Sequence, residues 1–240
     1  MNIKHINTII DKELKGYFNS PIAYIFITAF LVFTSWFYFR GFFINDIATM
    51  RPFFGILPWV FLFLIPAITM RLWAEEQKFG TIESLLTSPI TEWEAVLGKF
   101  LASFIFLIIT LLCSLVLPLI LLFIGKPDLG MIAGGYFGVI LLGGAYLSIG
   151  LWISSLTNNQ IIAFIFSVFI IFVLFIISQP IVLQTAPTFL ASFLKYIGMG
   201  SHFQSILRGV LDTRDLIYYI TLIFVFLYLN VASLNSRKWN

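Results

Sequence analysis

Six stretches of this chain, approximately 21–39, 53–70, 100–124, 131–153, 161–178 and 216–234, contain no Asp, Glu, Lys or Arg. Each is close to the roughly 20 residues that a helix needs to cross about 30 Å of hydrocarbon. Inside lipid every backbone N–H and C=O must find a partner within the protein, which restricts spanning segments to helices and closed barrels. With 60% hydrophobic residues, 10% charged residues and a mean hydropathy of +1.01, the pattern predicts an all-α integral membrane protein with six transmembrane helices. Proton relays, ion-coupled carriers and voltage sensors depend on charge within the membrane. The spans offer none, so energy for any work must come from outside them.

Other chemistry is excluded as directly. The single cysteine, Cys113, lies inside the third span, which rules out an internal disulfide and disfavours a thiolate metal site. No metal site is expected. A phosphate-cradling loop needs G-x-x-x-x-G-K, but Gly98–Lys99 and Gly125–Lys126 are preceded five positions earlier by Trp93 and Ile120. Asp212 and Asp215 suit surface pairing or a helix cap, and His5 and His202 are expected on opposite sides of the membrane. No catalytic constellation emerges, so the chain is not expected to be an enzyme. The net charge of +3 suits contact with anionic lipid rather than nucleic acid. The first twenty residues lack the continuous apolar core of a removable signal peptide.

Orientation follows from the basic residues. Lys4, Lys12, Lys15, Arg71, Lys78, Lys99, Arg237 and Lys238 fall on the side of the termini. Arg40, Arg51, Lys126, Lys195, Arg208 and Arg214 fall on the other, half of them in the loop before the last span. The positive-inside rule then predicts cytoplasmic termini. Residues 1–20 form an expected amphipathic cytoplasmic elbow, with Ile3, Ile6, Ile10, Leu14 and Tyr17 on one stripe. Ser20 and Pro21 read as the N-cap and first position of span one. Residues 21–240 form the six-span domain. Prolines 58, 66 and 118 are expected to kink their helices, and Gly130, Gly134 and Gly138, at intervals of four, present a small-residue face for helix packing. In the extracytoplasmic loop 179–214, Ser201 and Gln204 make a capping-box pair ahead of Phe203, Ile206, Leu207, Val210 and Leu211, which predicts short helices between spans five and six.

The segment 71–99, "RLWAEEQKFGTIESLLTSPITEWEAVLGK", carries eight of the chain's twenty-five charged side chains. Gly80 can end a helix, Thr81 can start another, and Pro89 stops it, which predicts short helices over 71–79 and 82–88. Thr91 and Glu94 form a capping box that opens the third span's helix. A helix over 82–88 is too short to hold itself, and Ile82, Leu85 and Leu86 share one face of it. It reads as a docking element rather than a solvated loop. The carboxylates Glu75, Glu76, Glu83, Glu92 and Glu94 have no histidine beside them and no pocket for catalysis.

"PAITMRLWAEEQKFGTIESLLTSPITEWEAVLGKFL", with "SPIAY" at 20–24, "GGYFGVILLGGAYLSIGLWISSLTNNQIIAF" at 134–164 and "RGVLDTRDLIYY" at 208–219, resembles the pattern of type-2 ABC transporter permeases. The likeness is nearly full-length and is most similar to the membrane subunit of the bacterial gliding-motility ABC transporter, with nitrous-oxide-reductase-maturation permeases as close relatives. The resemblance implies the type-2 ABC transporter fold, with a cytoplasmic coupling helix between spans two and three that sits on a separate ATPase. In this chain that is Thr81–Pro89, including Glu83, Leu85, Leu86 and Thr87, led into by Glu75, Glu76 and Gly80. A second contact is implied at Thr157, Asn158, Asn159 and Gln160. It also implies a second permease copy or related permease, ATP and Mg bound by the partner ATPase with no cofactor on this chain, and often a companion membrane protein with a large extracytoplasmic domain. The implied location is the bacterial inner membrane. The implied function is a permease subunit coupling ATP hydrolysis to export or mechanical transmission, in gliding motility or secretion; the alternative is a membrane anchor that moves no substrate.

Overall fold

The computed structural model describes residues 2–45, 49–83, 90–125, 127–185, 187–208 and 212–237. The helices in this part are α1 (Ile3–Phe18), α2 (Pro21–Asn45), α3 (Arg51–Lys78), α4 (Glu92–Cys113), α5 (Val116–Ile124), α6 (Leu129–Leu156), α7 (Gln160–Ile176), α8 (Pro180–Thr185), α9 (Thr188–Ile197), α10 (Met199–Leu207) and α11 (Thr213–Arg237), and no strand occurs among the described residues. Among the described residues five segments are long and apolar enough to cross a membrane: α2, α3, α4 taken together with α5, α6 and α11. The expected fifth span is α7, an apolar helix of 17 residues, about 25 Å long at 1.5 Å per residue. Its start is set by Asn159, whose side chain accepts the Ile161 N–H at 2.9 Å.

Helix α6 is the most enclosed span and packs chiefly against α3 and α11. Glycines let the backbones close. A Cβ at Gly135 would overlap the Phe54 ring, one at Gly143 would overlap Leu107, and one at Gly150 would overlap the Thr69 hydroxyl. Between apolar helices in lipid, association rests on such close van der Waals contact. A neighbouring face of α6 receives α4 and α11, since a Cβ at Gly144 would lie 3.2 Å from Phe104 and 3.1 Å from Ile223. Of the small-residue face expected from sequence, Gly138 packs on α10, with a Cβ there 2.8 Å from Ile206. Gly134 lies beside the same residue at an ordinary 3.9 Å. Gly130 is exposed in the first turn of α6, where Asp128 caps the helix through the Gly130 N–H at 2.9 Å.

The prolines act as local chemistry requires. Pro118 cannot donate to Ser114, whose carbonyl instead accepts the Leu117 N–H at 3.0 Å, and α4 gives way to α5 at that point. Pro58 and Pro66 sit inside α3, buried among its neighbours.

Two expectations need correction. Residues 71–78 are not a separate short helix but the last turns of α3, which runs unbroken from Arg51 to Lys78. Nothing between Met70 and Arg71 caps or breaks a helix, so charge alone does not end one. The Ser201–Gln204 capping box does not form either. Helix α10 starts at Met199, and the Ser201 hydroxyl donates to the carbonyls of Lys195 (2.6 Å) and Gly198 (2.9 Å). Gly198 takes the cap position because it packs directly on Ser178, leaving no room for a Cβ.

Substituting Gly150 with Ala is expected to lower the thermal midpoint in detergent by the equivalent of about 1–3 kcal/mol, the usual cost of overpacking. Gly134→Ala should leave it within about 0.5 kcal/mol. Equal midpoints for the two variants would mean that α3 and α6 are not in the close contact described.

Candidate functional site

The charged segment gathers α1, α3 and α4 at one end of the bundle. Lys99 is the hub. Its side chain is 3% exposed, and its ammonium donates to Glu13 Oε1 at 2.8 Å, Glu76 Oε1 at 2.8 Å and the Leu72 carbonyl at 2.9 Å. It also lies 4.8 Å from the centre of a Trp73 ring, a cation–π distance. Three donors of one ammonium are thus used on three acceptors, one from α1 and two from α3. A buried cation is tolerated only when paired and hydrogen-bonded in this way. Lys12 approaches the same Glu76 oxygen at 3.5 Å from a solvated position, and Arg71 pairs with Glu75 at 3.2 Å one turn apart.

Helix α1 reaches this hub because α4 lets it lie close. A Cβ at Gly98 would fall 2.7 Å from Ile9, so the adjacent Gly98 and Lys99 have separate tasks: the glycine admits α1 and the lysine holds it. The remaining contacts ascend together along the two helices. Glu94 accepts from the Asn2 N–H and meets His5 Nδ1 at 3.0 Å, and Tyr17 OH meets Ser103 Oγ at 3.0 Å. Ile6, Ile9 and Tyr17 are buried, Ile10 and Leu14 half-buried, and Ile3 exposed. The Thr91–Glu94 capping box forms as expected.

On the other side of α3 the partner is α6. The Ser154 hydroxyl donates to the Met70 carbonyl at 3.0 Å and accepts the N–H groups of Trp73 and Ala74 at 3.1 Å each, while Gln77 Nε2 donates to the Ser155 carbonyl at 2.8 Å. This brings the end of α6 and its following turn beside the end of α3. Lys78, Asn158, Asn159, Gln160 and Ile161 line one hollow there.

The sequence-derived docking residues are distributed as follows. Gly80 has φ +70, the left-handed conformation that glycine adopts without strain, and it ends α3. Thr81 and Glu83 are exposed, and Ile82 is buried in the core. Leu85, Leu86, Thr87 and Pro89 lie outside the described residues. Glu75 and Glu76 are half-buried and bonded within the bundle, as given above, and they border an open pocket of about 350 Å³ with Lys12, Glu13, Arg71 and Lys99. With His5 beside Glu94, this corrects the expectation that these carboxylates have neither a histidine nor a pocket next to them, because α1 supplies partners distant in sequence. Asn158 and Asn159 are exposed, Thr157 and Gln160 half-buried, and the Thr157 hydroxyl accepts the Asn159 N–H at 3.1 Å. The role of Lys99 was missed from sequence. Its one signal was a lysine set against an apolar run, and its partner Glu13 is 86 positions away.

Replacing Lys99 with Met leaves Glu13 and Glu76 facing each other without their shared cation. Breaking a buried pair in this way costs about 3–5 kcal/mol. Lys12→Met removes only an exposed ion pair, worth about 0–1 kcal/mol. Thermal unfolding in detergent should separate the two variants widely. Similar midpoints would refute the hub.

A family model described as ABC-2 family transporter protein matches residues 5–236. Curated relatives include the probable multidrug ABC transporter permease YbhR of Escherichia coli strain K12 and that of Escherichia coli O157:H7, each 35% identical over 92 residues, or 38% of this chain and 24% of the relative. The chain therefore matches about a quarter of the length of these relatives. The family match runs through all the described helices, from α1 to α11, and the chain belongs to the ABC-2 family of transporter proteins.

Proposed function

We propose that this chain is the transmembrane permease subunit of an ABC transporter complex and that it couples ATP hydrolysis by a separate ATPase subunit to export or to mechanical transmission. A second permease copy or related permease completes the membrane part, and ATP and Mg are held by the ATPase. In this reading α7 is the fifth of six spans, the termini are cytoplasmic, the membrane is the bacterial inner membrane, and α1 is the elbow. Residues 81–89 and the turn 157–160 form the docking surface, with Glu75, Glu76 and Gly80 leading into it.

One observation carries the reading. The end of α3 that leads into the 81–89 segment is bonded to α4 by Lys99 and to α6 by Ser154, and the 157–160 turn lies against it across the hollow at Lys78. A partner seated on these two loops therefore pulls on three helices rather than on a free loop. The likeness to permeases named for multidrug transport favours export over the anchor reading. Gliding motility or secretion, and a companion membrane protein with a large extracytoplasmic domain, follow only from the nearly full-length resemblance at 20–24, 66–101, 134–164 and 208–219.

The test is co-purification with the ATPase. Leu85→Asp combined with Leu86→Asp should leave membrane insertion intact and release the ATPase, since burying Leu contributes about 25 cal/mol per Å² of apolar surface and a carboxylate there would be desolvated unpaired. Retention of the ATPase at wild-type stoichiometry with normal hydrolysis would rule out this docking site. A complex that hydrolyses ATP while no substrate moves and no helix shifts would favour the anchor.

A further inference from the structure

At the end of the bundle opposite the Lys99 hub, α8, α9, α10 and the start of α11 line a half-open pocket of about 760 Å³. The docking reading makes no use of it. Three cations border it from three places in the chain: Lys195 on α9, Arg208 at the end of α10 and Arg214 in the first turn of α11. Among the described residues none of the three makes an ion pair. The two carboxylates that border the same pocket bond within its wall through one oxygen each. Asp215, 6% exposed, holds His202 Nδ1 at 2.6 Å, and His202 Nε2 bonds the Tyr196 carbonyl at 2.9 Å while its ring stacks on Tyr218 at 4.0 Å. Asp212 accepts the Arg214 backbone N–H at 2.9 Å. Asp215 Oδ2 is buried without a hydrogen-bond partner, so the acids are used in the wall only in part, and the three cations outnumber the two carboxylates at the pocket.

The position of the pocket says what meets that excess of cations. On α9, Phe189, Phe193 and Tyr196 follow at spacings of four and three and therefore share a face. They are 85%, 57% and 73% exposed, so no part of the described protein covers that face. Lys195 lies about a third of a turn away and borders the cavity. A helix with an uncovered aromatic face and an exposed lysine beside it, both reaching the pocket at Lys195 and Tyr196, belongs at the boundary of hydrocarbon and headgroups. The anions present at that depth are lipid phosphates.

We propose that this cavity is a receptor for the phosphodiester headgroup of an anionic lipid, with Lys195, Arg208 and Arg214 on the phosphate and the acyl chains passing along the aromatic face of α9. The inference rests on the membrane placement of the chain and not on its docking an ATPase. A Lys or Arg near anionic lipid contributes about a fivefold factor in binding, so three contribute on the order of a hundredfold.

The purified chain in an uncharged detergent would be titrated with phosphatidylglycerol, phosphatidylcholine and soluble glycerol phosphate, reading bound lipid by native mass spectrometry and stabilisation by thermal shift. Wild-type protein should prefer phosphatidylglycerol over phosphatidylcholine by at least about tenfold, and the preference should disappear in the combined Lys195→Gln, Arg208→Gln, Arg214→Gln variant. Arg40→Gln, a basic residue that does not border the cavity, should keep it. If the combined variant does not purify as folded protein, each single change must lower the preference severalfold. No preference in the wild type, an undiminished preference in the variants, or equal loss with Arg40→Gln would overturn the proposal. Glycerol phosphate binding as tightly as the lipid would overturn the lipid assignment and leave a free phosphate as the ligand.

Discussion

The close approach of α3 and α6 is the constraint on which the remaining packing depends. In water two apolar helices are driven together by burying surface, but in lipid the alternative neighbour is just as apolar, so contact must be better than lipid packing to persist. Gly135 and Gly150 provide that contact by admitting Phe54 and Thr69 of α3 to the α6 backbone, and Gly143 between them lies beside Phe61 of α3 while its tightest neighbour is Leu107 of α4. Their spacings of eight and seven are close to two helical turns, which keeps them on one face. Helix α6 then has other faces free for Ile206 of α10 at Gly138, and for Phe104 of α4 and Ile223 of α11 at Gly144. The prolines of α3 are tolerated in the same setting, because the carbonyls they leave free lie in a helix enclosed by protein.

The Lys99 hub works by a different balance. Three charged groups share a nearly dry site, with Lys12 as a distant fourth. Such an arrangement adds little net stability over an apolar core of equal volume, yet any one member removed leaves the others uncompensated. Its contribution is register. Only one sliding position of α1 along α4 places Ile9 over Gly98, Glu13 on Lys99 and Tyr17 on Ser103 together.

Much of the helix count and several of the boundaries were legible because they depend on local chemistry. Ser20 before Pro21, the Thr91–Glu94 box and Gly80 each act within a few residues of themselves, and each does in the structure what its type requires. What escaped was set by distant partners. The interval of four at Gly130, Gly134 and Gly138 looks like a packing face, but the tightest approaches fall on Gly135, Gly143 and Gly150, since the position of Phe54, Leu107 and Thr69 cannot be read from α6 alone. The same holds for the end of α3. Charge at 71–78 suggested a new helix, whereas the chain simply continued, because Ser154 and Lys99 supply the polar partners that let a charged turn stay packed.

That last turn is where the two balances meet. Between Met70 and Glu76 the α3 backbone shares its hydrogen bonds with its neighbours: the Ser154 hydroxyl of α6 donates to Met70 and accepts from Trp73 and Ala74, and Lys99 of α4 donates to the Leu72 carbonyl. A backbone bonded outward in this way cannot rotate or slide without breaking bonds to both neighbours, and in a site this dry each broken bond costs the full desolvation of its donor or acceptor. The glycine seam above it blocks separation of α3 from α6, and the hub beside it blocks separation from α4. In the proposed coupling, a displacement of the segment that follows Gly80 would act on three helices together, because bending at residues 70–76 breaks the bonds that tie α3 to Ser154 of α6 and Lys99 of α4.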